Sequence, residues 1–234
     1  MFVRAAAAAA AARGRPSRLL AVGNPKLDRS STLPDLPRAE VEATTVAGLY
    51  EQAQLLTAKA ATKAAFLSKL SASEVVHFAG HAAPGSEAGG GTLLFAPDPR
   101  TRTVGLLSSS EIDSTDLRST RVVVLAGCRT GTGAASRLEG SLSLARPFLA
   151  AGVPSVVASL RDVDDEVSRD FSVAFHRALL ADGDSAQALR DAQLTMLRSS
   201  DVTRAHPSSW AGFVNVGGFK PPAPVREARV KKGL

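Results

Sequence analysis

Apolar positions along this chain fall into two rhythms. Short runs of branched or long residues, closed by glycine or proline, alternate with segments whose apolar positions recur every three or four residues. RLLAVGNP (18–25) reads as a buried strand stopped by Asn24-Pro25. EVVHFAGHA (74–82), TLLFAPD (92–98), RVVVLA (121–126), SVVASLRDV (155–163) and WAGFVNVGG (210–218) read as further strands. The helical segments lie between them. RAEVEATTVAGLY (38–50) predicts a stripe of Val41, Thr44/Thr45, Ala47 and Leu49, and ATKAAFLSKL (61–70) a helix capped near Thr62. SSSEIDSTDL (108–117) predicts a short serine-capped helix. EGSLSLARPFLAAG (139–152) sets Leu142, Leu144, Phe148 and Leu149 before a C-cap glycine, with Pro147 marking a kink or an early first turn. DDEVSRDFSVAFHRALLADG (164–183) opens on acids and spaces Val167, Phe171, Phe175, Ala178 and Leu179 along one face; SAQALRDAQLTMLRSS (185–200) is the last helix. DRSSTLPDLP reads as loop, and GSEAGGG (85–91) as a mobile loop too glycine-rich to pack.

Strands alternating with helices predict an α/β sandwich with a mostly parallel central sheet. In such sheets ligands sit beyond the carboxyl ends of the strands. Length and charge refine this picture. The chain has 234 residues, enough for one large core. Its net charge of +6 comes from the ends: residues 1–18 hold four arginines and no acid, residues 220–234 hold a net four positive charges, and the body is left near −2. The division expected is therefore an Ala/Arg-rich segment at 1–17, a folded body at 18–219 and a basic, proline-rich tail at 220–234. No basic stripe interleaves with aromatics in the body, so it is not expected to bind nucleic acid. No apolar run is long enough to span a membrane.

One cysteine excludes a disulfide framework and a cysteine-based zinc site, and suits a reducing, cytoplasmic setting. No G-x-G-x-x-G opens a helix after the first strand, which removes the dinucleotide-binding class; no cofactor is expected. His77 and His81 share a strand face, yet no third ligand stands at a suggestive spacing, so no metal is expected. His77, His176 and His206 read as structural.

Two strand ends carry chemistry. His81 closes one and Cys128 another, 47 residues later. If those strands are neighbours in a parallel sheet, both residues reach one edge, and an imidazole beside a thiol can generate a thiolate. The alternative for Cys128 is a buried, inert thiol. Gly127 and the TGTG at 130–133 let a substrate backbone approach. The amides of Cys128 and of Ala82, which follows His81, are candidate oxyanion donors. Asp162, Asp164 and Asp165 follow a third strand end, either capping a helix or pairing with a basic substrate side chain.

Taken in order, LLAVGNP, LPRAEVEA, ATKAAFL, VVHFAGHA, VVVLAGCRTGTG, ARPFLAAGVPSVVASLRDVDD, ALRDAQL and HPSSWAGFVNVG resemble the CHAT domains. These are caspase-like cysteine peptidase domains often attached to tetratricopeptide repeats, grouped with caspases, gingipains and separases. The resemblance spans about residues 18–218. It implies a caspase-like α/β/α sandwich and a dyad of His81 and Cys128. Asp165, then Asp162, takes the place of the acid that holds a basic P1 residue in the separase-like relatives. It implies protein or peptide substrates and allows an activating protein partner, with the stretches 84–91 and 129–139 as places where a switch would act. Three positions depart from the pattern: Ala82 replaces a glycine, Arg161 replaces a tryptophan that walls the pocket, and AGC replaces SAC. The expectation is a cysteine endopeptidase cleaving after Arg or Lys. A weak or inactive interaction module of the same fold is the alternative.

Overall fold

A computed structural model of the chain describes residues 15–28, 31–84, 91–130, 144–160 and 165–218. The elements are β1 (Arg18–Pro25), α1 (Pro37–Ala47), β2 (Gln52–Ala58), α2 (Lys63–Leu70) and β3 (Val75–Pro84). A hairpin of β4 (Gly91–Phe95) and β5 (Gly105–Ser108) follows, then α3 (Ser109–Asp113) and β6 (Val122–Thr130). Residues 144–150 belong to α4. β7 (Ser155–Ser159), α5 (Asp165–Asp182), α6 (Ser185–Leu197), α7 (Val202–Ala205), a 3-10 turn (Pro207–Ser209) and β8 (Phe213–Gly217) complete the described chain.

The central sheet runs β2-β1-β3-β6-β7-β8. Its first five strands are mutually parallel, and β8 joins antiparallel. The β4–β5 hairpin extends the end of β3. Strand alternation divides the core into two layers. Leu20, Val22, Val76, Phe78, Val123 and Leu125 face one side and pack with Phe66, Phe95, Leu107, Leu144 and Phe148. Leu19, Ala21, Val75, Val122 and Val124 face the other and pack with Val46, Phe171, Phe175, Leu189 and Phe213. Helices α1, α5 and α6 thus cover one face, and α2, α3 and α4 the other: an α/β/α sandwich, as the element pattern predicts.

Several local expectations agree in detail. Thr62 accepts from the Ala65 amide as the N-cap of α2. Ser108 and Glu111 form a reciprocal capping box on α3. The α5 stripe of Val167, Phe171, Phe175 and Leu179 is buried. Gly152 follows α4 at φ +106°, the conformation a closing glycine supplies. The loop expected at 85–91 lies outside the described residues apart from Gly91, which starts β4.

The stripe on α1 is a correction. Glu42, Ala43, Val46 and Ala47 are the buried residues, while Val41 is 50% exposed. The physical cause is the closeness of α1 to β1. A Cβ on Gly23 would lie 2.6 Å from the Ala43 methyl and 2.8 Å from the Ala39 carbonyl. Only a face of small residues fits against such a strand. Strands β2 and β5, helix α7 and the 3-10 turn carry no clear periodic signal and emerge only in the structure.

Candidate active site

β3 and β6 are adjacent and parallel, so His81 and Cys128 stand on neighbouring strands at their carboxyl ends. The ladder is regular from Val75↔Val122 to Ala79↔Ala126, and then shifts. The next partners are His81↔Arg129 and Ala82↔Thr130. One residue of β3, Gly80, therefore faces two of β6, Gly127 and Cys128: a bulge. Gly80 has no room for a side chain, since a Cβ there would meet Pro25 Cδ at 2.9 Å and the Phe78 ring at 3.1 Å.

The His81 side chain is 4% exposed. Its Nε2 lies 2.7 Å from the Pro34 carbonyl oxygen. A carbonyl only accepts, so Nε2 carries the hydrogen and donates it. In the neutral ring the lone pair is then on Nδ1. That atom is buried and has no hydrogen-bond partner among the described residues. An oriented imidazole with one nitrogen tied back and the other left open is the arrangement of a general base.

Pro34 is held from β1. Asn24, 5% exposed and in the left-handed region at φ +48°, breaks the β1 ladder. Its Oδ1 accepts from the Leu36 amide at 2.9 Å. Asp35 pairs with Lys26 at 2.7 Å. The hydrogen bond from Lys26 outweighs desolvation and, with the Asn24 amide contributing, holds the Asp35 carboxyl below its usual range. Arg38, in the first turn of α1, reaches Glu166 in the first turn of α5 at 3.1 Å. The rim of the site is thus tied on two sides.

Ala82 lies in the core layer beneath the hairpin, with its side chain 2% exposed. It belongs to the strand face opposite the one that carries His77 and His81. The methyl that departs from the family's glycine therefore points away from the histidine. Ala82 is paired on both sides, with Leu93 and with Thr130. Asp165 is the first residue of α5, the helix that follows β7, and β7 pairs with the Cys128 strand. Asp162, Asp164, Arg161, most of the 129–139 stretch and most of the 84–91 stretch lie outside the described residues.

Beneath His81 on the same face is a buried polar chain that the sequence does not announce. The Glu42 carboxylate accepts from Ser172 Oγ at 2.7 Å and Ser168 Oγ at 3.0 Å. His77 Nε2 stands 3.2 Å from Glu42 Oε1, off the line of a hydrogen bond. His77 Nδ1 meets His176 Nε2 at 3.2 Å, and His176 Nδ1 meets Tyr50 Oη at 2.8 Å. One proton arrangement suits every member. Tyr50 donates to His176, His176 donates to His77, and the His77 Nε2 hydrogen faces the carboxylate. Burial raises the Tyr50 pKa, which keeps its proton in place. Burial, then the neighbouring His77, lowers His176 well below its ordinary value. His77 and His176 are hydrogen-bonded core residues, as expected. Among the described residues no group of three or more metal-ligating side chains gathers.

A mostly parallel α/β/α sandwich of this kind is the caspase-like fold. Among solved structures the chain resembles gingipain R, an Arg-specific cysteine proteinase, with a TM-score of 0.52 at 9% identity over 91% of this chain and 50% of that one. The complex of Porphyromonas gingivalis RgpB pro- and mature domains gives a TM-score of 0.51, again at 9% identity, over 91% of this chain and 51% of that one. The family model of the CHAT domain matches residues 2–218, and the chain belongs to that family. It is 31% identical to tetratricopeptide repeat protein 28 of Mus musculus and 30% identical to that of Homo sapiens, over 84% of this chain in each case. It spans only 9% of the length of either relative. No helix among the described residues is long and apolar enough to cross a membrane.

Proposed function

We propose that this domain is a cysteine endopeptidase working through His81 and Cys128. The observation that carries the reading is His81 itself: buried, fixed at Nε2 by the Pro34 carbonyl, with Nδ1 open, on the strand that pairs with the cysteine strand. In this reading Nδ1 accepts the Cys128 thiol proton. The thiolate sulfur bonds to the scissile carbonyl carbon, and the charge moves onto the carbonyl oxygen. Collapse breaks the C–N bond while the imidazolium returns the proton to the leaving amine. Water, deprotonated by the same nitrogen, then hydrolyses the thioester and restores the thiol. The Pro34 carbonyl supports the imidazolium through Nε2–H.

A bulge leaves a residue outside the ladder, which suits the Cys128 amide as an oxyanion donor. The Ala82 amide is the second donor in this scheme and competes with the sheet ladder for that hydrogen. Asp165, and Asp162 before the same helix, supply the carboxylate for an Arg or Lys at P1. Substrates are proteins or peptides, an activating partner is compatible with the rim described above, and a reducing cytoplasm suits the lone thiol. The test compares wild type with Cys128→Ala on P1-Arg and P1-Lys reporter peptides. Turnover by wild type alone is expected. Equal turnover by both removes Cys128 from the reaction. A wild-type thiol that reacts with iodoacetamide near neutral pH no faster than a free cysteine points instead to an inactive interaction module.

A further inference from the structure

The His81–Pro34 contact raises a question of support. A carbonyl in a proline-bounded loop holds a ring in place only if the loop itself is held. The sequence around it, TLPDLP (32–37), offers no regular secondary structure before α1 begins at Pro37. Leu36, the N-cap residue of α1, makes no side-chain cap. The loop's anchor comes from another element, the end of β1.

We infer that Asn24 is a positioning residue for the dyad: its side chain grips the 34–36 turn and thereby aims the Pro34 carbonyl at His81. The inference rests on the proposed role of His81. Three observations support it. Asn24 is buried, although its side chain is fully polar. It occupies the left-handed region at φ +48°, a conformation that costs most residues free energy and that Asn tolerates. Its Oδ1 spends that conformation on one contact, the Leu36 amide, two residues from the carbonyl that holds His81. The β1–β2 register shifts at this place, between Gly23 and Pro25, so the chain leaves the ladder where Asn24 turns away. Lys26 then holds Asp35 from the same side. Among the described residues Asn24 makes no hydrogen bond to His81. Its effect passes through the backbone of residues 34–36.

Asn24→Gly is the informative variant. Glycine accepts φ +48° without strain, so the backbone keeps its path while the Oδ1 acceptor disappears. Exchanging the pair, Asn24→Asp with Asp35→Asn, restores an acceptor for the Leu36 amide and keeps one carboxylate and one amide between the two positions. Proteins labelled with 15N at histidine report the His81 tautomer by NMR, with His81→Gln assigning its signals among the four histidines. Wild type is expected to show the Nε2–H form. Asn24→Gly is expected to show mixed Nε2–H and Nδ1–H forms and a kcat for P1-Arg reporters at least ten-fold lower, with KM little changed. The exchanged pair is expected to recover both. An unchanged His81 tautomer in Asn24→Gly overturns the inference, as does an exchanged pair no better than Asn24→Gly. If the tautomer responds as expected but wild type cleaves nothing, the peptidase reading falls and the aiming of His81 by Asn24 stands.

Discussion

The buried chain from Glu42 to Tyr50 makes a quantitative prediction at Glu42→Ala. The variant takes the acceptor from two donors, Ser168 Oγ and Ser172 Oγ, and removes the carboxylate that the His77 Nε2 hydrogen faces. The two serines lie on α5 and can turn back to bond carbonyls of their own helix, which softens their loss. His77 has no such escape, being 0% exposed on a central strand. A buried donor left without a partner costs about 1–3 kcal/mol, and a hydrogen bond to a charged carboxylate is worth about 1.5–3 kcal/mol, less what each serine recovers by re-bonding. Taking about 4 kcal/mol for the whole, and about 2–4 °C per kcal/mol for a domain of this size, Tm should fall by roughly 10 °C. Glu42→Gln keeps the volume and one oxygen acceptor and should fall by about half as much, since a hydrogen bond to a charged group is worth about 1.5–3 kcal/mol. Thermal unfolding at neutral pH, followed by circular dichroism, reads both. The cost should also be smaller in a His77→Phe background, where the stranded donor is already gone. A Glu42→Ala protein melting within about 2 °C of wild type, the range of an ordinary surface substitution, refutes the reasoning.

His176 gives a pH prediction with a definite sign. Its folded-state pKa lies well below the ordinary 6.5 because of burial, and then because of His77, so the unfolded chain takes up a proton that the folded chain refuses. Stability is therefore full above that pH and is lost as pH falls below it, at up to about 1.4 kcal/mol per pH unit for this group. Tyr50 and His77 face the ring, and Glu42 lies beyond; urea midpoints from pH 7.5 to 5 should decline less steeply in His176→Gln, and parallel curves would count against this origin. Gly23→Ala should destabilise by about 1–3 kcal/mol, because its methyl meets Ala43 and the Ala39 carbonyl and forces α1 outward; an unchanged urea midpoint would mean that α1 yields freely. Asp165→Ala should lower kcat/KM for P1-Arg and P1-Lys peptides by about ten-fold or more, the loss expected when a substrate loses its charge partner. Its stability should change by no more than about 1 kcal/mol, the worth of an acid at a helix start, and an unaltered P1 profile would remove it from the pocket.

What the sequence reveals and hides follows from what side-chain polarity can report. Helix α5 is legible because Val167, Phe171, Phe175 and Leu179 are large and apolar and their burial is set by size alone. Helix α1 is misphased because its inward face is small and partly charged: Ala43, Val46, Ala47 and Glu42. Glu42 turns inward only because His77, Ser168 and Ser172, from two other elements, wait there, and no window of the α1 sequence contains that fact. Strand β2 is an edge strand with most of its residues exposed, so it lacks the apolar run that marks β1 or β6.

The candidate site divides along the same line. Its candidate residues are legible as residue types, and its backbone is not. The spacing between His81 and Cys128 is 47 residues, and so is the offset of every regular pair from Val75↔Val122 to Ala79↔Ala126. The spacing that suggested a dyad is therefore the register of the two strands, read along the chain. Continued without interruption, that register would set His81 directly opposite Cys128. The bulge moves it to Arg129, and the support for the imidazole comes from a carbonyl at Pro34, an atom every residue type possesses. Pattern picks out candidate groups because their types are distinctive. It is silent on the bulge and the carbonyl because glycines and main-chain oxygens acquire their meaning only when strands and loops from distant parts of the chain are brought together.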